Sequence, residues 1–183
     1  MRIHFKTVKT MPIAMMALAV LAGCGKQEMA INPPGVGLHE AAIQGNLEVI
    51  RQHIAAGSDL DEKDPMGGAS PLITAATFGR TEVARALIEA GADVDHTNNE
   101  GSTALHTSAF LCRTEIVKLL LENGADKNVR NNAGATAFES VAGPFHEVEG
   151  IYDFLAEVLG PLGLQLDYER IKATRPKIAE MLR

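Results

Sequence analysis

Residues 38–60, 72–94 and 105–127 read LHEAAIQGNLEVIRQHIAAGSDL, LITAATFGRTEVARALIEAGADV and LHTSAFLCRTEIVKLLLENGADK. Their leading residues are 34 apart from Leu38 to Leu72 and 33 apart from Leu72 to Leu105, and Phe138 follows after a further 33. Each segment carries two short apolar-periodic stretches split by a turn. A unit of this size cannot bury its apolar face alone, so units must stack on one another. The chain therefore reads as an all-α repeat solenoid of three to four helix–turn–helix units.

Local signals agree with that division. Ser70-Pro71 fits a helix start, because proline at the first helical position loses an N–H that would be unpaired anyway. Thr103 is placed to cap the helix that begins at Ala104. Thr81-Glu82 and Thr114-Glu115 open the second helices with an acid near the positive dipole end. Gly57, Gly91 and Gly124 close them, since glycine adopts the left-handed conformation without a Cβ penalty. Turn-rich connectors follow with tips at 62–67, 96–100 and 129–133, and the extra residue of the first spacing falls in the first of them.

The fourth unit departs from the pattern. Its opening, Asn132 to Phe138, is retained, but Gly143-Pro144 replaces the corner, and the amphipathic stretch Val148–Leu159 is predicted to stand where the second helix belongs. Beyond Gly160-Pro161, helix starts are predicted at Asp167 and again at Thr174-Arg175-Pro176. Residues 144–183 read as a degenerate last repeat and helical C-terminal cap over the open end of residues 38–143.

The period, Thr103-Ala104-Leu105-His106 and Gly91-Ala92-Asp93-Val94 resemble ankyrin repeats, over roughly residues 36–160. That resemblance implies a binding role without naming a partner. It implies β-hairpin-like connectors projecting as fingers, and a hydrogen-bonding role between neighbouring units for His39 and His106. It also implies that the pairs Ile43-Gln44, Thr77-Phe78 and Phe110-Leu111 lie on the outward face of the first helices, which lines the concave groove. Four of those six are large and apolar, where a merely solvated face would carry charge or amide. Met66, Ala69, Asn99, Ser102, Asn132 and Ala135 on the fingers would complete the groove. Phe78 and Phe110 either meet a partner there or fold over neighbouring fingers; the sequence leaves both open.

The N-terminus is a separate object. Arg2, Lys6 and Lys9 precede the apolar run Met11–Ala22, too short to span a bilayer, which takes about 20 residues. Leu21-Ala22-Gly23-Cys24 looks like a bacterial lipobox. Residues 1–23 are then a removable lipoprotein signal peptide, Cys24 the lipid attachment point, and 25–37, with Pro33-Pro34, a linker. Removal of 1–23 leaves 14 positive against 23 negative side chains, a net of −9. Gly25 after the cysteine, by resemblance to lipoproteins of two-membrane bacteria, points to the outer membrane facing the periplasm. Cys112 then has no partner for a disulfide.

Charge and motif exclude several functions. A net charge of −6 argues against nucleic acid. The histidines form no His-Glu-x-x-His or Cys/His cluster of metal spacing. Gly67-Gly68-Ala69-Ser70-Pro71 is not a nucleophile elbow, and Gly35-Val36-Gly37 is not a dinucleotide loop. Cys112 stands where other units have Gly45 and Gly79 and reads as a small packed residue. Paired acids such as Asp59 and Asp61 recur at each connector and read as turn residues. No catalytic residue, metal or cofactor is expected. The expected function is a monomeric, membrane-tethered module that binds an envelope protein. Two alternatives remain: an inhibitor or immunity protein for a single enzyme, or an activity in residues 144–183 that the repeats present.

Overall fold

A computed structural model describes residues 34–183, so Cys24, the signal segment and most of the linker lie outside the described residues. Three helix pairs form the array: α1 (Leu38–Gln44) with α2 (Leu47–Ala55), α3 (Pro71–Phe78) with α4 (Thr81–Glu89), and α5 (Ala104–Phe110) with α6 (Thr114–Glu122). First helices pack on first helices and second on second, which buries Leu38, Leu72, Leu87, Leu105 and Leu120 completely. Alanines 41, 42, 75, 76, 84, 104 and 109 fill the space between layers. Small residues there let the helices approach closely, which is how a core almost free of large aromatics reaches interior density.

The caps hold the units in register. Ser70 Oγ accepts from the Ile73 N–H, and Pro71 takes the first helical position. Thr103 and His106 form a reciprocal box: the Thr103 hydroxyl accepts the His106 N–H, and His106 Nδ1 accepts the Thr103 N–H. With Nδ1 an acceptor, Nε2 carries the proton and donates to the Ala135 carbonyl of the next unit at 3.1 Å. Burial pushes the His106 pKa down, so the neutral ring is the working form. His39 bridges units in another way, with Nε2 against the Glu62 carbonyl at 3.1 Å and Nδ1 against the Thr74 hydroxyl at 3.2 Å.

The connectors differ from hairpins: no strand forms among the described residues. One bond closes each base, from Asp64 N to Ala69 O, Asn98 N to Ser102 O and Asn131 N to Ala135 O. The side chains of those same three residues then take the N–H groups that a ladder would have paired. Asp64 binds those of Met66, Gly67 and Ala69; Asn98 binds those of Glu100 and Ser102; Asn131 binds those of Ala133 and Ala135. Burial alone would raise the Asp64 pKa, but the three N–H groups outweigh it and hold the carboxyl below its ordinary value. Neighbouring fingers join through Asn99 N to Gly67 O and Asn132 N to Glu100 O, both at 2.9 Å.

At the C-terminal end the arrangement departs from expectation twice. After the short α7 (Glu139–Ala142) comes α8 (Glu149–Leu159), and then α9 (Tyr168–Leu182) as one helix that runs through Pro176. It is α9, not α8, that packs against α6, α5 and α7 in the place of a second helix. The fourth unit is therefore α7 plus α9, with residues 143–167 looped out between them. Proline in a helix interior costs about 3 kcal/mol. Burial of Ile171, Arg175, Ile178, Ala179 and Leu182 on both sides of it keeps the helix whole.

Candidate protein-binding groove

A groove of about 670 Å³ opens between the first helices α3 and α5 and the inserted α8. Its array side carries Ile73, Thr77, Thr107 and Phe110, and α8 with the preceding turn contributes Val148, Ile151, Leu155 and Leu159. Glu100, Glu139 and Glu147 stand around it. Glu139 is the most constrained of these: the Thr136 N–H, then Arg130, hold its carboxyl below the ordinary value.

α8 stands off the array and is fastened by one ring. Tyr152 stacks between Phe110, at 4.5 Å between centroids, and Phe145, at 5.3 Å. Its hydroxyl donates to the Phe110 carbonyl and accepts from Arg175 Nη1 at 3.0 Å. Arg175 is buried and spends its other donors on the Gly143 and Ser140 carbonyls. This knot ties α5, α7, α8 and α9 together. Burial pushes the Tyr152 pKa up to about 12, so it stays a neutral donor. From α9, the Tyr168 hydroxyl adds a 2.7 Å bond to Asp153.

Among the described residues, nothing covers one face of α8. Ile151 is 50% exposed, Phe154 60%, and Val158 and Leu162 nearly as much, with half-buried Leu155 between them. Spacings of three and four place Ile151, Phe154, Leu155 and Val158 on one stripe. Apart from Met66, the exposed large apolar side chains of the described residues are Ile151, Phe154, Val158 and Leu162. Glu149, Asp153 and Glu157 flank them.

The predicted groove residues divide. Thr77 and Phe110 line the groove, with Ala69 and Ser102 of the fingers. Leu111 touches the same space but is only 2% exposed, so it belongs to the core, which corrects its assignment to a partner-facing pair. α5 ends at Phe110 and Leu111 is its C-cap, rotated inward where α9 closes over the helix end. Phe110 is half-buried by its own stack on Tyr152, so that ring serves the protein's own packing. Phe78 lies outside the groove, in a separate cleft beside Arg80 and Leu166. Ile43, Gln44, Met66, Asn99, Asn132 and Ala135 do not line the groove either. Gln44 bonds back to Glu40, Met66 is 85% exposed at a finger tip, and Asn99 and Asn132 join fingers to each other. The α8 contribution escaped the sequence reading, although Val148–Leu159 was visible as amphipathic.

The remaining candidates are structural. Cys112 adopts φ 54°, the left-handed conformation of Gly45 and Gly79, and its thiol faces the Ile171 carbonyl at 3.7 Å. A Cβ at Gly45 or Gly79 would sit 3.0 Å from the side chain of Arg80 or Arg113 of the next unit. At Cys112 α9 replaces that unit, and a small thiol fits. Burial pushes its pKa up to about 11, far from a thiolate nucleophile. Asp61 and Asp95 accept the Asp93 and Asp126 N–H groups of the following units, a turn role.

Residues 38–131 match a family model of ankyrin repeats in three copies. Among solved structures, the chain is similar to the ankyrin repeat domain of Bcl-3, a member of the IkappaB protein family, at 29% identity and a TM-score of 0.55. The match covers 56% of this chain and 45% of that one. A comparison with curated proteins finds no match.

Proposed function

The chain belongs to the ankyrin-repeat family, and from that premise we propose that it is a lipid-anchored protein of the bacterial envelope that holds a protein partner in the groove between α5 and α8. The observation that carries the binding half is the unpaired stripe Ile151, Phe154, Leu155 and Val158, next to a groove floored by Ile73 and Phe110. A contiguous exposed apolar surface of this kind marks an interaction site. Acids around it select the partner. Glu100, Glu147, Glu149, Asp153 and Glu157 favour a segment that presents apolar side chains flanked by lysine or arginine, and disfavour an acidic one. The anchoring half is supported by the positive head, the short apolar run and Leu21-Ala22-Gly23-Cys24. The outer membrane facing the periplasm is the proposed location.

Substitution of the stripe separates binding from folding. In Ile151→Ser/Phe154→Ser/Val158→Ser the altered side chains are about half exposed or more, so the melting temperature should hold within a few degrees. Capture of the envelope partner should weaken at least about thirtyfold, since truncating a central interface side chain commonly costs 2 kcal/mol or more. Intact capture would move the site to the finger tips or to the second-helix face.

A further inference from the structure

A second cleft, of about 560 Å³, shares no lining residue with the groove and gathers Arg80, Arg113 and Arg170 around Phe78, Gln165 and Asp167. Two of these arginines have a structural duty. Arg80 and Arg113 occupy equivalent places just before α4 and α6, and each ties its unit to the one before. Arg80 Nε donates to the Ile43 carbonyl at 2.8 Å, and Arg113 Nη2 to the Thr77 carbonyl at 3.1 Å. Arg113 Nε packs over Gly79, closed off from solvent and, among the described residues, without a hydrogen-bond partner, so only its terminal guanidinium nitrogens can serve the cleft. The inter-unit bond leaves two facts unexplained. Arg170, which comes from α9 and not from the repeat pattern, is brought up beside the other two. Among the described residues, no carboxylate lies within ion-pair distance of any of the three.

The cleft is thus the reverse of the chain around it, with three arginines against the single carboxylate of Asp167 in a protein of net charge −6. Asp167 lines it, but its carboxylate caps α9 by accepting the Arg170 backbone N–H at 3.0 Å. Burial, then the neighbouring Arg170 and Arg80 charges, lower the Arg113 pKa. α6 starts at this point with no side-chain cap, which leaves first-turn N–H groups and the positive end of its dipole nearby. Glu115, in the adjoining hollow, is engaged by Lys118 at 3.2 Å.

We propose that Arg80, Arg113 and Arg170 form a binding site for a phosphate-type oxyanion, either free phosphate or the phosphate of a lipid headgroup. Guanidinium forks match the oxygens of such a group, and several around one cleft can each supply a charge-assisted bond. The site is independent of whatever the groove binds.

The test is calorimetric titration of the full chain in non-ionic detergent with inorganic phosphate and with glycerophosphate, against chloride at equal ionic strength. A saturable heat for either phosphate, absent with chloride, is the expected result. A preference for the inorganic ion identifies free phosphate as the ligand, and a preference for glycerophosphate a headgroup. Arg170→Gln alters an exposed side chain, so its circular dichroism should match the wild type while affinity falls about tenfold or more, the weight of one charge-assisted hydrogen bond. Equal heats with phosphate and chloride would overturn the proposal, and so would an Arg170→Gln variant that binds as the wild type does.

Discussion

Cys24→Ala should abolish fatty-acid incorporation and leave the precursor uncut. A single myristoyl-like chain gives only marginal membrane binding, whereas two give stable attachment, at about 0.8 kcal/mol for each buried CH₂. On the proposed reading a diacylglyceryl group on Cys24 would account for the whole of the attachment, and loss of one sulfur atom would remove it. Metabolic labelling with a radioactive fatty acid, followed by electrophoresis, reads both outcomes at once. The wild type should carry label at the size of the chain beginning at residue 24, and the variant none at the size of the uncut chain. A wild-type band without label would remove the lipid anchor from the account.

Deletion of residues 168–183 should cost the domain most of its stability. α9 buries Ile171, Ile178 and Leu182, and full burial of such side chains contributes roughly 1.5–3 kcal/mol each, or about 5–9 kcal/mol together. That is comparable to the roughly 5–15 kcal/mol by which whole domains are stable. The deletion also removes Arg175 and Tyr168, which leaves Tyr152 and the Gly143 carbonyl without their shared donor, so α8 keeps only the stack and bond of Tyr152 on Phe110 and Phe145. Thermal melting followed by circular dichroism should show a transition tens of degrees lower, or none. A melting curve like the wild type's would show that the three repeats stand alone and that α9 closes nothing.

The array was legible because its signals repeat. Three copies of the same apolar spacing, the Ser70 and Thr103 caps and the closing glycines each state one local rule, and all agree. The fourth unit has no second copy to be compared with. There Pro176 reads locally as a helix start, and only the burial of Ile171 and Ile178 on either side shows why one helix runs through it. Val148–Leu159 was visible as amphipathic, but periodicity tells which face is apolar and not what covers it. Its position depends on Tyr152 stacking on Phe110, 42 residues earlier, and on Arg175, 23 residues later, neither of which a spacing rule can reach. Leu111 was misplaced for a related reason. Cys112 takes the left-handed conformation that Gly45 and Gly79 signal openly, so the end of α5 does not announce itself, and aligned residues there do not point alike. His39 and His106 each reach a connector carbonyl, as the repeat resemblance implies, but at different offsets, Glu62 for one and Ala135 for the other.

Occupancy of the apolar stripe beside the α8 groove is tested most directly by a photoreactive amino acid placed at Phe154, with a control at Arg85 on the exposed second-helix face, each in the full chain in the cell that makes it. Phe154 is 60% exposed and sits in the middle of the unpaired stripe, so the substitution leaves the fold intact. Irradiation should give one discrete crosslinked species from position 154 and none from position 85. Crosslinks from Arg85 with none from Phe154 would contradict the account and move the partner to the opposite face of the array.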